Sequence, residues 1–130
     1  METMIAMLYS EGVRTNRITL EHLAVVMSGK PARIFGLYPR RGAIAAGADA
    51  DLCILDPAQT RSVTASTEHS AGDFDVFEGW EVTGWPVTTA LRGQVVYADG
   101  RVTSEPGHGQ LVKGSASTDR PGPRAADPGP

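Results

Sequence analysis

The residues of this chain that could do chemistry are three histidines, a pair of acids and one cysteine. Metal-assisted hydrolysis needs several His or Asp ligands that converge on one ion. His22, His69 and His108 lie far apart, and no two of them form a His-x-His pair. His69 precedes Asp73 and Asp75 at a spacing that could chelate a metal weakly, but we interpret all three histidines as solvated helix, loop or turn residues. The sequence therefore predicts no metal ligand and no catalytic residue.

Asp49 and Asp51 stand two residues apart, just before the apolar run 52–55. Two carboxylates at this spacing on an extended strand point the same way, as a general acid–base pair would require. They also occupy a turn that leads into a strand, where carboxylates commonly accept backbone N–H bonds, and we favour this structural role. Cys53 lies inside the run, where we expect it to be a small buried hydrophobe rather than a nucleophile.

Two stretches near the start of the chain have the apolar spacing of amphipathic helices. The first helix ends near Gly12, and its apolar face consists of Met1, Met4, Ile5 and Leu8. The second has Thr19 as its N-cap and Gly29 as its end, and its apolar stripe consists of Leu20, Leu23, Ala24 and Met27. Pro31 suits the first turn of a third, short helix that ends at Gly36. Because the chain contains no parallel sheet for the first two helices, we expect their apolar faces to be exposed.

The rest of the chain has the pattern of short strands. Residues 52–55 predict a strand buried on both faces, residues 61–67 an edge strand, and residues 69–85 a long loop held in place by its aromatic side chains. A clear strand starts at Pro86. Gly93-Gln94 suits a type II′ turn and Asp99-Gly100 a type I′ turn, which together predict an antiparallel meander. Residues 114–130 contain no large apolar side chain, so we expect a disordered tail.

Composition limits the class of protein. A chain of 130 residues with 41% hydrophobic content suits one small domain or a part of a larger one. Its net charge of −3 gives no basic footprint, so we expect no nucleic-acid partner. We find neither a signal peptide nor an apolar stretch long enough to span a membrane. These features predict a cytoplasmic protein without membrane contact.

Three stretches together resemble a known family. They are PARIFGLYPRRG, the following GAIAAGADADLCILDP, and FEGWEVTGWPVTTALRGQVVYADG. They are similar to the dihydropyrimidinase/D-hydantoinase branch of the amidohydrolase superfamily, and the resemblance runs from residue 2 to residue 113. It covers only the C-terminal part of such an enzyme.

The resemblance implies a mixed α/β fragment. Residues 1–37 would be terminal helices of a (β/α)8 metal-dependent hydrolase barrel, residues 38–113 part of a small β-sandwich domain, and residues 114–130 the tail. The remainder of the barrel would be missing from this chain. The expected partners are therefore that barrel portion or a second copy of the chain.

The family implies hydrolysis of cyclic amides, namely dihydropyrimidines and 5-substituted hydantoins, to N-carbamoyl amino acids. It uses divalent metal, typically two zinc ions, whose ligands would lie outside this chain. The chain alone is then inactive. Lys30 is the one candidate substrate-binding residue, at a position where the family usually has an Asn whose backbone contacts the substrate ring. The alternative is a non-catalytic, β-rich assembly or interaction module derived from the same family.

Overall fold

The computed structural model describes residues 2–69 and 72–114. Helix α1, Met4–Leu8, continues as a π-helical segment, Tyr9–Val13. Helix α2, Leu20–Ala24, continues through a π-helical segment, Val25–Gly29, into helix α3, Lys30–Ile34. Within the described ranges, no helix is long and apolar enough to cross a membrane.

Local sequence signals explain where most of these helices begin and end. Thr19 has an extended backbone, and its hydroxyl oxygen accepts the N–H of His22 at 3.1 Å, which confirms the predicted N-cap. Gly36 adopts a φ of 67° after α3 and confirms the predicted end. The predicted end at Gly29 is wrong, because this glycine is helical. The N–H of Lys30 there donates to the carbonyl of Val25, so the helical register continues into α3.

The second half of the chain forms an antiparallel sheet. Among the described residues it has four strands in the order β1-β2-β3-β4, which are Leu52–Ser62, Glu81–Leu91, Gln94–Ala98 and Arg101–Val102. A short 3-10 helix, Ala65–Thr67, lies between β1 and β2. The predicted meander of β2, β3 and β4 is confirmed.

Strand β1 differs from its prediction in length and burial. Residues 52–55 and 61–62 belong to one strand, because both ends pair with β2 around an irregularity between Asp56 and Thr60. Residues 65–67 are helical rather than extended. The strand is also not buried on both faces, since Leu52 is 39% and Ile54 56% exposed. In the described sheet β1 is an edge strand with one neighbour.

The two hairpin turns are both type I′. Asp99 and Gly100 have φ values of 50° and 77°, as predicted. The preceding turn consists of Arg92 and Gly93, with φ values of 52° and 79°. The predicted type II′ turn at Gly93-Gln94 is therefore wrong, because Gln94 already belongs to β3.

The hydrophobic core joins α1 to the sheet. It consists of Ala6, Met7, Val63, Val82 and Trp85, with the partly buried Phe77 packed against it. The first helix thus has a sheet to lie on within this chain, the antiparallel strand β2, but it packs there through Ala6 and Met7. Met4, on the apolar face that the sequence predicts, is 40% exposed as expected.

Phe77, which also contacts Trp80 edge-on at 5.5 Å, packs its loop against the core. The predicted loop 69–85 and the predicted strand start at Pro86 are wrong in their bounds, because β2 already begins at Glu81.

Gly114, the first residue of the predicted tail, is described. A side chain at this position would overlap the carbonyl oxygen of Phe35, so Gly114 lies against the end of α3. The other residues of the tail, 115–130, lie outside the described residues, and their disorder stays a prediction.

The close approach of Tyr9 to β2 predicts a selective effect of substitution at Gly84. Gly84 has a φ of 96°, and an added Cβ would overlap the Tyr9 ring. We expect Gly84→Ala to lower the free energy of unfolding by about 1–2 kcal/mol for the left-handed backbone and by about 1–3 kcal/mol more for the overlap. Urea denaturation measures the loss.

Gly79→Ala is the matched control. Gly79 has a φ of 80°, but no atom lies within 4 Å of its added Cβ. It should carry only the backbone cost. Equal destabilisation by the two substitutions would contradict the packing of Tyr9 on β2.

Candidate functional site

Lys30, the predicted substrate-binding residue, lies at the start of α3 and is exposed. Its backbone N–H is already occupied by the carbonyl of Val25. The preceding Gly29 is buried, and its carbonyl accepts a hydrogen bond from Nη1 of Arg33 at 3.0 Å. The main chain at this point is therefore held firmly, while the Lys30 side chain reaches into solvent.

A concave feature lies between α2 and the segment that leads into β1. It is an open cavity of about 640 Å³. Its helical wall includes Leu20, Leu23, Ala24, Met27 and Ser28, and its opposite wall includes Gly42, Ala43, Ile44, Leu52, Cys53 and Leu55. Most of these side chains are apolar, and Ile44 is 92% exposed. A cavity of this size could hold a ligand or a segment of protein.

The acid pair lies at the edge of this cavity and is bound by arginines. Both carboxylate oxygens of Asp49 accept the Nε–H of Arg40 at 3.1 Å, and one also accepts that of Arg41 at 3.3 Å. Asp51 pairs with Nη2 of Arg41 at 3.1 Å and accepts the backbone N–H of Arg92 at 2.8 Å. The carboxylates thus fasten the segment before β1 to the turn after β2. Asp51 accepts a backbone N–H, as the structural interpretation expects, whereas Asp49 is bound by arginine side chains instead.

The ionisation of Asp49 also argues against proton transfer by this pair. The hydrogen bond from Arg40 lowers the pKa of Asp49, partial burial opposes this, and Arg41 adds to the lowering. A carboxyl group with a lowered pKa remains ionised at neutral pH, so it is a poor general acid.

Cys53 lines the cavity but has the properties of an unreactive thiol. The residue is exposed by area, contrary to the prediction of a buried strand. Its thiol nevertheless faces the partly enclosed cavity, where burial raises its pKa and a hydrogen bond with Thr89 opposes the rise. A raised pKa reduces the thiolate fraction, which is the nucleophilic form.

The three histidines differ in their surroundings, and two of them have side-chain partners rather than being simply solvated. His22 is exposed in α2. The Nδ1 of His69 lies 3.0 Å from a carboxylate oxygen of Glu2, and its backbone N–H donates to the other oxygen at 2.9 Å. Nη2 of Arg92 lies 3.2 Å from Nε2 of His108 and donates to its carbonyl at 2.8 Å.

No group of three or more His, Cys, Asp or Glu residues suited to a metal ion occurs in the part of the chain that the structure describes. The described residues therefore do not fit the metal that the sequence resemblance implies. Sequence reasoning missed the cavity and the arginine partners of the acids. The only local signal for those partners is the basic pair Arg40-Arg41, eight to ten residues before Asp49 and Asp51.

Comparison with known proteins gives a consistent family. The model of the amidohydrolase family matches residues 4–97. A D-hydantoinase of Geobacillus stearothermophilus is 46% identical over 112 residues, which are 86% of this chain and 24% of that protein. A dihydropyrimidinase of Rattus norvegicus is 39% identical over 85% of this chain and 21% of its own length.

Solved structures agree with the sequence relatives. A crystal structure of a D-hydantoinase superposes with a TM-score of 0.82 at 43% identity, over 85% of this chain and 24% of that one. The D-hydantoinase of a Thermus species gives a TM-score of 0.83 at 38% identity, over 86% of this chain and 24% of that one.

The chain spans about a quarter of the length of these relatives. The described helices and sheet reproduce the corresponding piece of a hydantoinase, and the resemblance inferred from sequence is confirmed. Because the family model covers well over half of the residues, this chain belongs to the amidohydrolase family, with hydantoinases and dihydropyrimidinases among its relatives.

Proposed function

We propose that this chain is the C-terminal part of a dihydropyrimidinase/hydantoinase-type hydrolase. The intact enzyme opens a dihydropyrimidine or a 5-substituted hydantoin ring to an N-carbamoyl amino acid. The observation that carries the proposal is the superposition on a D-hydantoinase at 43% identity over 85% of the chain. The relatives reported above are all named as enzymes, which favours this proposal over a non-catalytic module.

Two domains follow from the proposal. Residues 1–37 are terminal helices of the hydrolase barrel, and residues 38–113 are part of a small β-sandwich. The change from helices to an antiparallel sheet between α3 and β1 supports a boundary in this region. The core between α1 and β2 crosses that boundary, so in this proposal the two parts pack together.

The metal of such an enzyme, typically two zinc ions, belongs in this proposal to residues outside this chain. Some of the described histidines and acids are engaged with one another or with arginines, as in the pairs Glu2–His69 and Arg41–Asp51. The role of this part of the chain is structural support and a share of the substrate pocket. The cytoplasmic location and the lack of a nucleic-acid partner stay predictions, the latter supported by the net charge of −3.

Lys30 is the residue that we propose to approach the substrate. Because its N–H is bound within the helix, a main-chain contact would use the carbonyl, and the flexible side chain would lie at the rim of the pocket. The longer, charged side chain of lysine, in place of the asparagine amide, would leave less space in the substrate pocket. We therefore expect Lys30 to weaken binding of an uncharged ring without changing the chemical step.

The cavity between α2 and β1 is the surface that we expect the rest of the enzyme to cover. Its apolar wall is exposed at Leu20 and Ile44, although Leu23 is already buried. Exposed apolar surface of this kind normally finds a partner. A covering element from the remaining three quarters of the fold would bury it.

A chimaera tests the proposed enzyme. Residues 2–113 of this chain would replace the matching quarter of the Geobacillus stearothermophilus D-hydantoinase. Because the two pieces superpose and share 46% of their residues, we expect the chimaera to fold and to hydrolyse a 5-substituted hydantoin. A folded, metal-loaded chimaera without turnover would contradict the proposal.

Lys30→Asn in this chimaera tests the substrate contact. We expect KM to fall by about tenfold, equivalent to about 1.4 kcal/mol of binding, with kcat nearly unchanged because the interaction is equal in ground and transition states. Lys113→Asn changes the other described lysine and should alter neither constant. If the two substitutions changed KM equally, the proposed position of Lys30 at the substrate pocket would be wrong.

The chain by itself should be inactive. The described residues contain no suitable metal-ligand group, so purified protein with added zinc or manganese should not hydrolyse dihydrouracil or a 5-substituted hydantoin. Turnover above a blank with metal alone would show that this chain contains a complete site.

The isolated chain should also self-associate through its uncovered cavity wall. Sedimentation at micromolar concentration should give an average mass above that of one chain, and the double substitution Leu20→Ser, Ile44→Ser should reduce it. Each buried apolar side chain contributes roughly 1.5–3 kcal/mol. Leu111, which is 90% exposed and lies outside the cavity, provides the control Leu111→Ser. A monodisperse monomer of the unsubstituted chain would contradict this expectation.

A further inference from the structure

A second, smaller cleft shares no lining residue with the first cavity, and Trp85 of the core is part of its lining. Its volume is about 410 Å³, within the range of small-molecule sites. It is lined by Glu2, Arg61, Ser62, Thr67, His69, Trp85, Tyr97 and Gly100. Neither the family relationship nor the proposed hydrolysis assigns a role to this cleft.

Arg61 is the distinctive group of the cleft. It lies near the end of β1, paired across the sheet with Val82, which is fully buried. Its guanidinium carbon lies 5.3 Å from the centre of the Trp85 ring. Trp85 is only 8% exposed, so the arginine rests on a rigid aromatic base. Stacking of this kind fixes the plane of a guanidinium while its N–H groups stay available.

Three other arginines already bind a carboxylate or a carbonyl group of the protein. Arg40 and Arg41 bind Asp49, and Arg92 binds the carbonyl of His108. Arg61 forms no ion pair or side-chain hydrogen bond within the described residues. It therefore presents a charged, planar set of donors to the cleft without a protein acceptor.

The acid that lines the cleft, Glu2, is engaged by His69. Both carboxylate oxygens of Glu2 accept hydrogen bonds from His69, one from the backbone and one facing the ring nitrogen. The His69 ring in turn packs edge-on against Tyr97, with 5.9 Å between ring centres. This chain of contacts holds Glu2 in place, and Tyr97 and Trp85 give the cleft an aromatic lining. Nearby Glu68 and Asp75 add negative charge outside the cleft and disfavour a dianion.

We infer that this cleft is a binding site for a small organic carboxylate. The carboxylate would take a bidentate pair of hydrogen bonds from Arg61, and its apolar part would lie against Tyr97 and the edge of Trp85. Ser62 lines the same cleft, and its hydroxyl could complete the anion's shell, whereas the hydroxyl of Thr67 already donates to the carbonyl of Thr64 at 3.0 Å. A monoanion fits the local charge better than phosphate does.

The test uses the full chain with benzoate as the probe. Benzoate is titrated at constant ionic strength while the two indole N–H resonances are followed by NMR, with Trp80→Phe used to assign them. We expect the Trp85 resonance to shift and saturate. The Trp80 resonance should stay in place, because Trp80 packs on Phe77 outside the cleft.

Two arginine variants distinguish specific binding of benzoate by Arg61 from a nonspecific effect of the protein's positive charge. Arg61→Gln should weaken benzoate binding about tenfold or more, since a hydrogen bond to a charged group contributes at least about 1.5 kcal/mol. Arg33→Gln is the matched control. Arg33 stacks on Tyr38 at 3.8 Å but does not line the cleft, so the affinity should be unchanged.

Arg61→Lys keeps the charge and loses the planar pair of donors, so its affinity should fall between those of the other two. If Arg61→Gln does not fold, Arg61→Lys still provides the test. Absence of a saturable Trp85 shift, equal weakening by the Arg33 and Arg61 variants, or tighter binding of inorganic phosphate than of benzoate would overturn the inference.

Discussion

The contact between α1 and β2 is the interaction on which the rest of this structure depends. Ala6 and Met7 on the helix meet Val82 and Trp85 on the strand, and Val63 closes the group. Val63 and Val82 are the largest side chains that are fully buried in the described residues. Because these contacts join the first turns of the chain to its middle, they fix the helix, both clefts and the loop of Phe77 relative to one sheet. A core of five residues is small for this length, which explains why so many large apolar side chains remain exposed.

The distribution of that exposed surface is informative. Leu20 and Ile44 lie on two walls of one cavity, while Leu52 and Ile54 lie on the open edge strand. Scattered exposed apolar residues are ordinary in a folded protein, but an apolar cavity beside the edge strand of the described sheet supports our proposal that another protein element covers this surface. This chain spans about a quarter of the length of its relatives. In our proposal, the rest of the enzyme covers this surface. The polar cleft around Arg61 differs, because its charge and its fixed aromatic rings suit a small ligand rather than a packed interface.

Sequence reasoning succeeded where structure is determined locally. The N-cap of Thr19, the left-handed Gly36 and the type I′ turn at Asp99-Gly100 each depend on one or two residues, and each was predictable. It failed where distant pairing decides. Strand β1 runs through Pro57 because β2 pairs with both of its ends, and nothing between residues 52 and 62 contains that information. The packing of α1 on an antiparallel sheet was missed for the same reason. The structural role of Asp49 and Asp51 could be predicted, but the positions of their arginine partners could not.

The arginine–acid group shows why residue type alone is a weak guide to chemistry here. Asp49 and Asp51 satisfy the spacing of a catalytic pair, yet every polar contact found around them comes from a guanidinium or a backbone N–H. The hydrogen bond from Arg40 lowers the pKa of Asp49 and so favours its ionised form, whereas a general acid needs surroundings that favour the protonated form. The group instead connects the segment after α3, through Arg41, to the hairpin turn at Arg92. This group lies in the segment between the helices and the sheet, and it is the polar counterpart of the α1–β2 core. Burial of apolar side chains stabilises the core, and ion pairs stabilise this segment. An enzyme that shares this segment would gain from it a rigid wall beside its pocket rather than a reacting group.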